Sequence, residues 1–106
     1  MTKDIPILPG VPDQRLSVSL GGRRVLLRLL WNEDSGAWFM DVSDADGDMI
    51  KAGARVVSNW PLLIRVSDER LPSGNIMALR MVGSGPPDIT ELGETVRLVY
   101  VESDNE

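Results

Sequence analysis

Asp44, Asp46 and Asp48 alternate through the middle of the chain with Asp41 just upstream, the spacing by which loop carboxylates hold calcium. The full calcium-loop pattern needs glycine at position six and a bidentate glutamate at position twelve. Counted from Asp44, Gly47 stands at four and Arg55 at twelve, so the pattern fails at both places. The same aspartates suit a tight turn at Asp46-Gly47, because aspartate accepts hydrogen bonds from nearby backbone and glycine supplies a positive φ. Asp44, Asp46 and Asp48 are therefore read as turn residues first and only weakly as metal ligands.

Other chemistry fares no better. Gly83-Ser84-Gly85 has the look of a phosphate cradle, but no lysine follows, and Pro86-Pro87 removes two backbone donors that a cradle would use. Asp41 and Glu91 could form a glycosidase pair, although nothing in the sequence sets their separation. The chain has no histidine and no cysteine. That removes the commonest zinc ligands, the usual general base and the Ser-His and Cys-His nucleophile arrangements. The expectation is a protein without catalytic residues or cofactor.

Composition narrows the classes further. One domain is expected from 106 residues, and 42% hydrophobic with 25% charged residues is a globular balance. A net charge of -5 argues against nucleic acid, whose binding rests on clustered Lys and Arg. The longest apolar stretch, Val25 to Trp31, is interrupted by Arg28 and falls far short of the ~20 residues that span a bilayer. Asp4, Pro6 and Pro9 interrupt any export-signal core near the amino terminus, so a soluble protein with no membrane partner is expected.

The elements that must carry these residues are strands. Pro6, Pro9 and Pro12 favour an extended arm over residues 1–14. Arg15 to Leu20 alternates, Gly21-Gly22 can turn the chain, and Arg23 to Trp31 returns with Val25, Leu27, Leu29 and Trp31 on one face. Leu26 and Leu30 on the opposite face imply partial cover there too. Trp38 to Val42 runs into the Asp46-Gly47 turn, and Met49 to Val57 follows with a bulge expected at Gly53. Trp60 to Val66 reads as a turn leading into strand, Asn75 to Val82 as strand, and Val96 to Val101 as the closing strand. Between the last two, Asp88 with Glu91 three residues on and Gly93 beyond predicts one capped helical turn. The sum is an all-β fold, a small antiparallel sandwich or barrel of six to seven strands, as a single domain over 15–101 with an acidic tail over 102–106.

Trp31, Trp38 and Trp60 could make a carbohydrate platform, but with one Phe and one Tyr in the chain the first two are expected at the centre of the core. Trp60, with Leu62 and Leu63, stands in a connection, where exposed apolar groups make a docking patch. Arg15, Arg23, Arg24 and Arg28 gather on the first hairpin, while acids gather on the second and in the tail.

Taken in order, several features resemble the small baseplate plug proteins of contractile-tailed bacteriophages, those of cyanophages and proteobacterial prophages. They are the Ile5-Pro6 arm, the Leu16 to Leu30 hairpin, the Trp38 to Gly47 strand and turn, Gly53, Trp60-Pro61-Leu62-Leu63, and the closing Asp88 to Val101 run. The Ser84-Gly85-Pro86-Pro87 stretch departs from the family, whose loops there are richer in aspartate. The resemblance implies a structural β module in the virion tail baseplate, assembled in the host cytoplasm. It would sit at the lower end of the tail tube, contacting tube, hub or spike proteins as part of an oligomeric particle. On this reading Ile5, Pro6, Ile7, Leu8 and Pro9 of the arm, with Trp60, Leu62 and Leu63, contact neighbouring subunits, the arm by adding to a strand edge. The alternative is a free-standing β module that binds carbohydrate or calcium through the second hairpin.

Overall fold

The computed structural model describes residues 2–63 and 68–102. Seven strands form two antiparallel sheets: β1 (Thr2–Asp4), β2 (Asp13–Leu20), β3 (Arg23–Asn32), β4 (Ala37–Asp44), β5 (Met49–Arg55), β6 (Asn75–Arg80) and β7 (Val96–Val101). The larger sheet is the meander β2-β3-β4-β5, and the smaller has the order β1-β7-β6. Among the described residues no strand belongs to both sheets, so the fold is an open sandwich and not a barrel.

Local sequence sets the larger sheet. Gly21 and Gly22 take φ of +58° and +82°, the left-handed pair that a two-residue hairpin needs, and this locks Leu20 opposite Arg23. Alternation then sends Val18, Leu20, Val25, Leu27, Leu29, Trp38, Met40 and Val42 to the interior. Gly53 has φ +67° and marks an extra residue on β5, where Met40 faces Ala54 but Val42 faces Lys51. The Gly53 N–H donates to the Asp41 carboxylate at 2.7 Å, so Asp41 holds the bulge.

Ile76, Ala78, Val96, Leu98 and Tyr100 close the core from the smaller sheet. Trp38 is fully buried. It meets Trp31 edge-to-face at 5.7 Å between ring centroids, and its Nε1–H donates to the Asp88 carbonyl at 2.9 Å. The buried Tyr100 lies against the first hairpin: its hydroxyl accepts from the Gly74 N–H and would sit 2.6 Å from any Cβ added at Gly21.

The amino-terminal segment is part of this body. β1 pairs with β7, the Ile5 N–H donates to the Leu98 carbonyl at 2.8 Å, and Ile5 and Ile7 join the core. Gln14 completes the attachment by pairing with both the N–H and the carbonyl of Leu8.

Two expectations are corrected. The Asp88 capping box forms, with Asp88 Oδ1 accepting from the Glu91 N–H and Glu91 Oε1 from the Asp88 N–H, but no helix follows among the described residues. Only five residues separate Pro87 from Gly93, too few to offset helix nucleation, and the segment is a pair of turns. The sixth strand stops at Arg80 and does not reach Val82. The strand expected towards Val66 lies outside the described residues.

Candidate interaction surface

The aspartate turn comes first because its spacing suggested a cation. Asp44 Oδ1 accepts from the Asp46 and Asp48 N–H groups at 3.0 and 2.9 Å, and Oδ2 accepts from Arg70 Nη1 at 3.1 Å. Its carboxyl is held below the usual range by the Asp48 N–H first, then by Arg70. Both oxygens thus already face donors, and Asp46 and Asp48 are exposed, so the geometry is that of an Asx turn. Among the described residues no group of three carboxylates is placed to hold a metal. Arg70 also chelates Asp68, whose carboxyl it lowers to about 2, and so fastens the 68–71 turn to the second hairpin.

Glu91 and Asp41 are each engaged by other groups, Asp41 by the Gly53 N–H. Glu91 receives Arg80 through both carboxylate oxygens at 2.9 and 3.1 Å. The Arg80 side chain is 4% exposed, and its guanidinium also donates to the carbonyls of Val82, Gly85 and Pro86. Arg80 holds the Glu91 carboxyl at about 2, with help from the Asp88 N–H. The Gly83-Ser84-Gly85 loop therefore wraps an arginine of its own chain.

What remains unsatisfied is apolar surface. Residues 58–62 run along β6: the Asn59 N–H donates to the Ala78 carbonyl at 2.7 Å, the Leu62 N–H to the Ile76 carbonyl at 2.9 Å, and Pro61 bridges to Met77. Asn59 takes φ +59°, a left-handed conformation that asparagine tolerates, and its side chain accepts from the Arg80 N–H. This backbone holds Trp60 outward at 54% exposure. Met81 and Val82, at the end of β6, are 63% and 68% exposed. Three of the five exposed large hydrophobics among the described residues thus lie just past the end of β6 or on the segment paired with it.

The sequence-named contact residues divide accordingly. Trp60 and Leu8 are exposed, Pro6 and Pro9 are at the surface, and Leu62 is half-buried. Ile5, Ile7 and Leu63 face the chain's own core. Met81 and Val82 were missed because they read as the end of a strand, where alternation assigns one of any two neighbours inward.

A family model described as cyanophage baseplate Pam3 plug gp18 matches residues 2–104 of the 106. The chain belongs to this baseplate plug family. No curated protein matches it. A baseplate plug is a structural part of a virion tail and associates with other baseplate components. An exposed tryptophan on a hydrogen-bonded frame accords with that role.

Proposed function

We propose that this plug is a non-enzymatic packing module of a contractile tail, seated at the lower end of the tail tube against tube, hub or spike proteins. It would join the particle in the host cytoplasm as one of several copies. The contact residues in this reading are Trp60 and Leu62, Met81 and Val82 past the end of β6, and the exposed Pro6, Leu8 and Pro9 of the arm. Leu63 and the two arm isoleucines support these residues from beneath. The observation that carries the reading is the family match over 2–104, joined to the placement of Trp60. A large aromatic already fixed by backbone bonds loses little entropy when a partner covers it.

The test is size-exclusion chromatography with light scattering of the plug alone, then mixed with purified tube or hub protein of the same particle. Co-elution that Trp60→Ser abolishes, with the variant's unfolding midpoint unchanged, supports the reading. A plug indifferent to both proteins overturns it.

A further inference from the structure

The outer face of the β2-β3-β4-β5 sheet carries a second feature. Strand register places Asp13, Arg15, Ser17 and Ser19 of β2 on that face, beside Arg24, Leu26, Arg28 and Leu30 of β3. Phe39, Asp41 and Ser43 of β4 follow, with Arg55 and Met49 of β5. Four arginines and two aspartates give this face a net charge of +2, on a chain whose total is -5. Leu26, Leu30 and Phe39 are half-buried between the charges and Met49 is 52% exposed. The Asp46-Gly47 turn walls one side, leaving a shallow groove lined by Arg15, Leu26, Arg28, Asp41 and Met49.

The arginines differ in their engagement. Arg28 grips Asp13 through two bonds at 2.9 and 3.1 Å, showing the fork geometry this face already gives a carboxylate. Arg24 donates to the Ser17 hydroxyl. Arg15 and Arg55 make no ion pair among the described residues. A guanidinium is always charged, is weakly hydrated for a cation and matches a carboxylate in two places, so unpaired arginines between apolar side chains suit a protein surface bearing Asp and Glu. A phosphate backbone fits less well, because Asp13 and Asp41 stand among the arginines and the face's excess is small.

We propose that this basic, apolar-floored face docks a carboxylate-bearing surface of a neighbouring tail protein, with Arg15 and Arg55 as its free anchors. The proposal rests on the baseplate reading, and it adds a second contact on the sheet opposite β6. The experiment uses the full chain, the tube and hub proteins of the same particle, and a DNA duplex as probes. Binding is measured across a salt series for wild type, Arg15→Glu/Arg55→Glu and Trp60→Ser. The double reversal is expected to weaken protein binding by at least about tenfold and to flatten its salt dependence. Circular dichroism and an unchanged unfolding midpoint show that both variants are folded. Full-strength binding by the double reversal overturns this proposal while leaving the baseplate reading in place. So does an effect confined to the DNA duplex or to self-association of the plug. Failure of wild type to bind either protein overturns the baseplate reading itself.

Discussion

Replacing Ile5 by alanine should destabilise the isolated plug severely, although Ile5 lies in a proline-spaced arm. Ile5 is 3% exposed, its N–H bonds to Leu98 on the central strand of the smaller sheet, and its side chain belongs to the same cluster as Leu29, Met40 and Leu98. Deleting three methyl-sized groups from a packed interior costs the transfer term plus a cavity term, about 2–5 kcal/mol for Ile→Ala. That is a large share of the ~5–15 kcal/mol that holds a domain together. At about 4–8 °C per kcal/mol in a domain of this size, the thermal midpoint should fall by roughly 8–40 °C. Urea and thermal unfolding followed by tryptophan fluorescence reads this directly, because Trp38 is buried at the core's centre. Leu8→Ala, at a side chain 63% exposed, is the control and should stay within about 0.5 kcal/mol of wild type. If Ile5→Ala also stays within that margin, the arm is not part of the folding unit and the argument fails. If the drop is seen, truncating the arm unfolds the plug, and loss of a truncated chain from tails says nothing about contacts. Interface tests then require point changes at Pro6, Leu8 or Pro9.

Gly93→Ala probes the same attachment from the other side: Gly93 sits at φ +95° and an added Cβ would run into the Ile7 carbonyl, so its urea midpoint should fall well below that of Gly22→Ala, where only φ is at issue. The Asp68 and Glu91 carboxyls are both lowered to about 2, so their contribution to stability is fully present above the ordinary carboxylate range of about 4. It should drain away as pH falls from about 4.5 to 2, and Glu91→Gln should flatten that part of a stability profile. Millimolar calcium should leave the melting temperature unchanged, since the Asp44 oxygens already face two N–H groups and Arg70; a saturable rise would overturn the turn reading. Thr95 Oγ1 is buried without a hydrogen-bond partner, so Thr95→Val should raise the unfolding free energy by about 1 kcal/mol, and a loss of stability would contradict this.

The larger sheet was legible because its information is local. Gly21-Gly22 sets the register of β2 and β3, Gly53 marks the bulge, and alternation picks the inward residues one by one. Arm placement was not, since Pro6 and Pro9 announce an extended segment without saying what it lies on. The answer depends on Leu98, Ile89 and Gln14, far away or on another element. The helical turn failed for a related reason: its capping signals were genuine and did form, but a cap cannot supply the residues that a helix needs beyond it. Of the exposed apolar residues, Trp60 could be found as one in a connection, whereas Met81 and Val82 were hidden in an alternating run. The basic face was half visible as arginines on the first hairpin. Arg55 joins it only through the bulged pairing of β4 with β5.

The edges of the two sheets argue for how a partner is met. An extended arm suggested strand addition between chains; β1 pairs along one edge with its own β7 and is the outer strand of the smaller sheet. The edge of β6 is covered by residues 58–62. On β2, the Ser19 carbonyl faces away from β3 and accepts from Lys3 Nζ at 2.8 Å, which sets a charge at that edge. On β5, the Gly53 bulge breaks the regular ladder and Lys51 stands beside it. The β5 and β6 edges thus offer neighbours few free backbone groups in register, and the β2 edge carries the Lys3 charge. The contacts proposed above accordingly rest on side chains: Trp60 on one sheet, and Arg15 and Arg55 on the other. Contacts of that kind can be undone one residue at a time without unfolding the plug, which separates them from Ile5, Ile7 and Leu63.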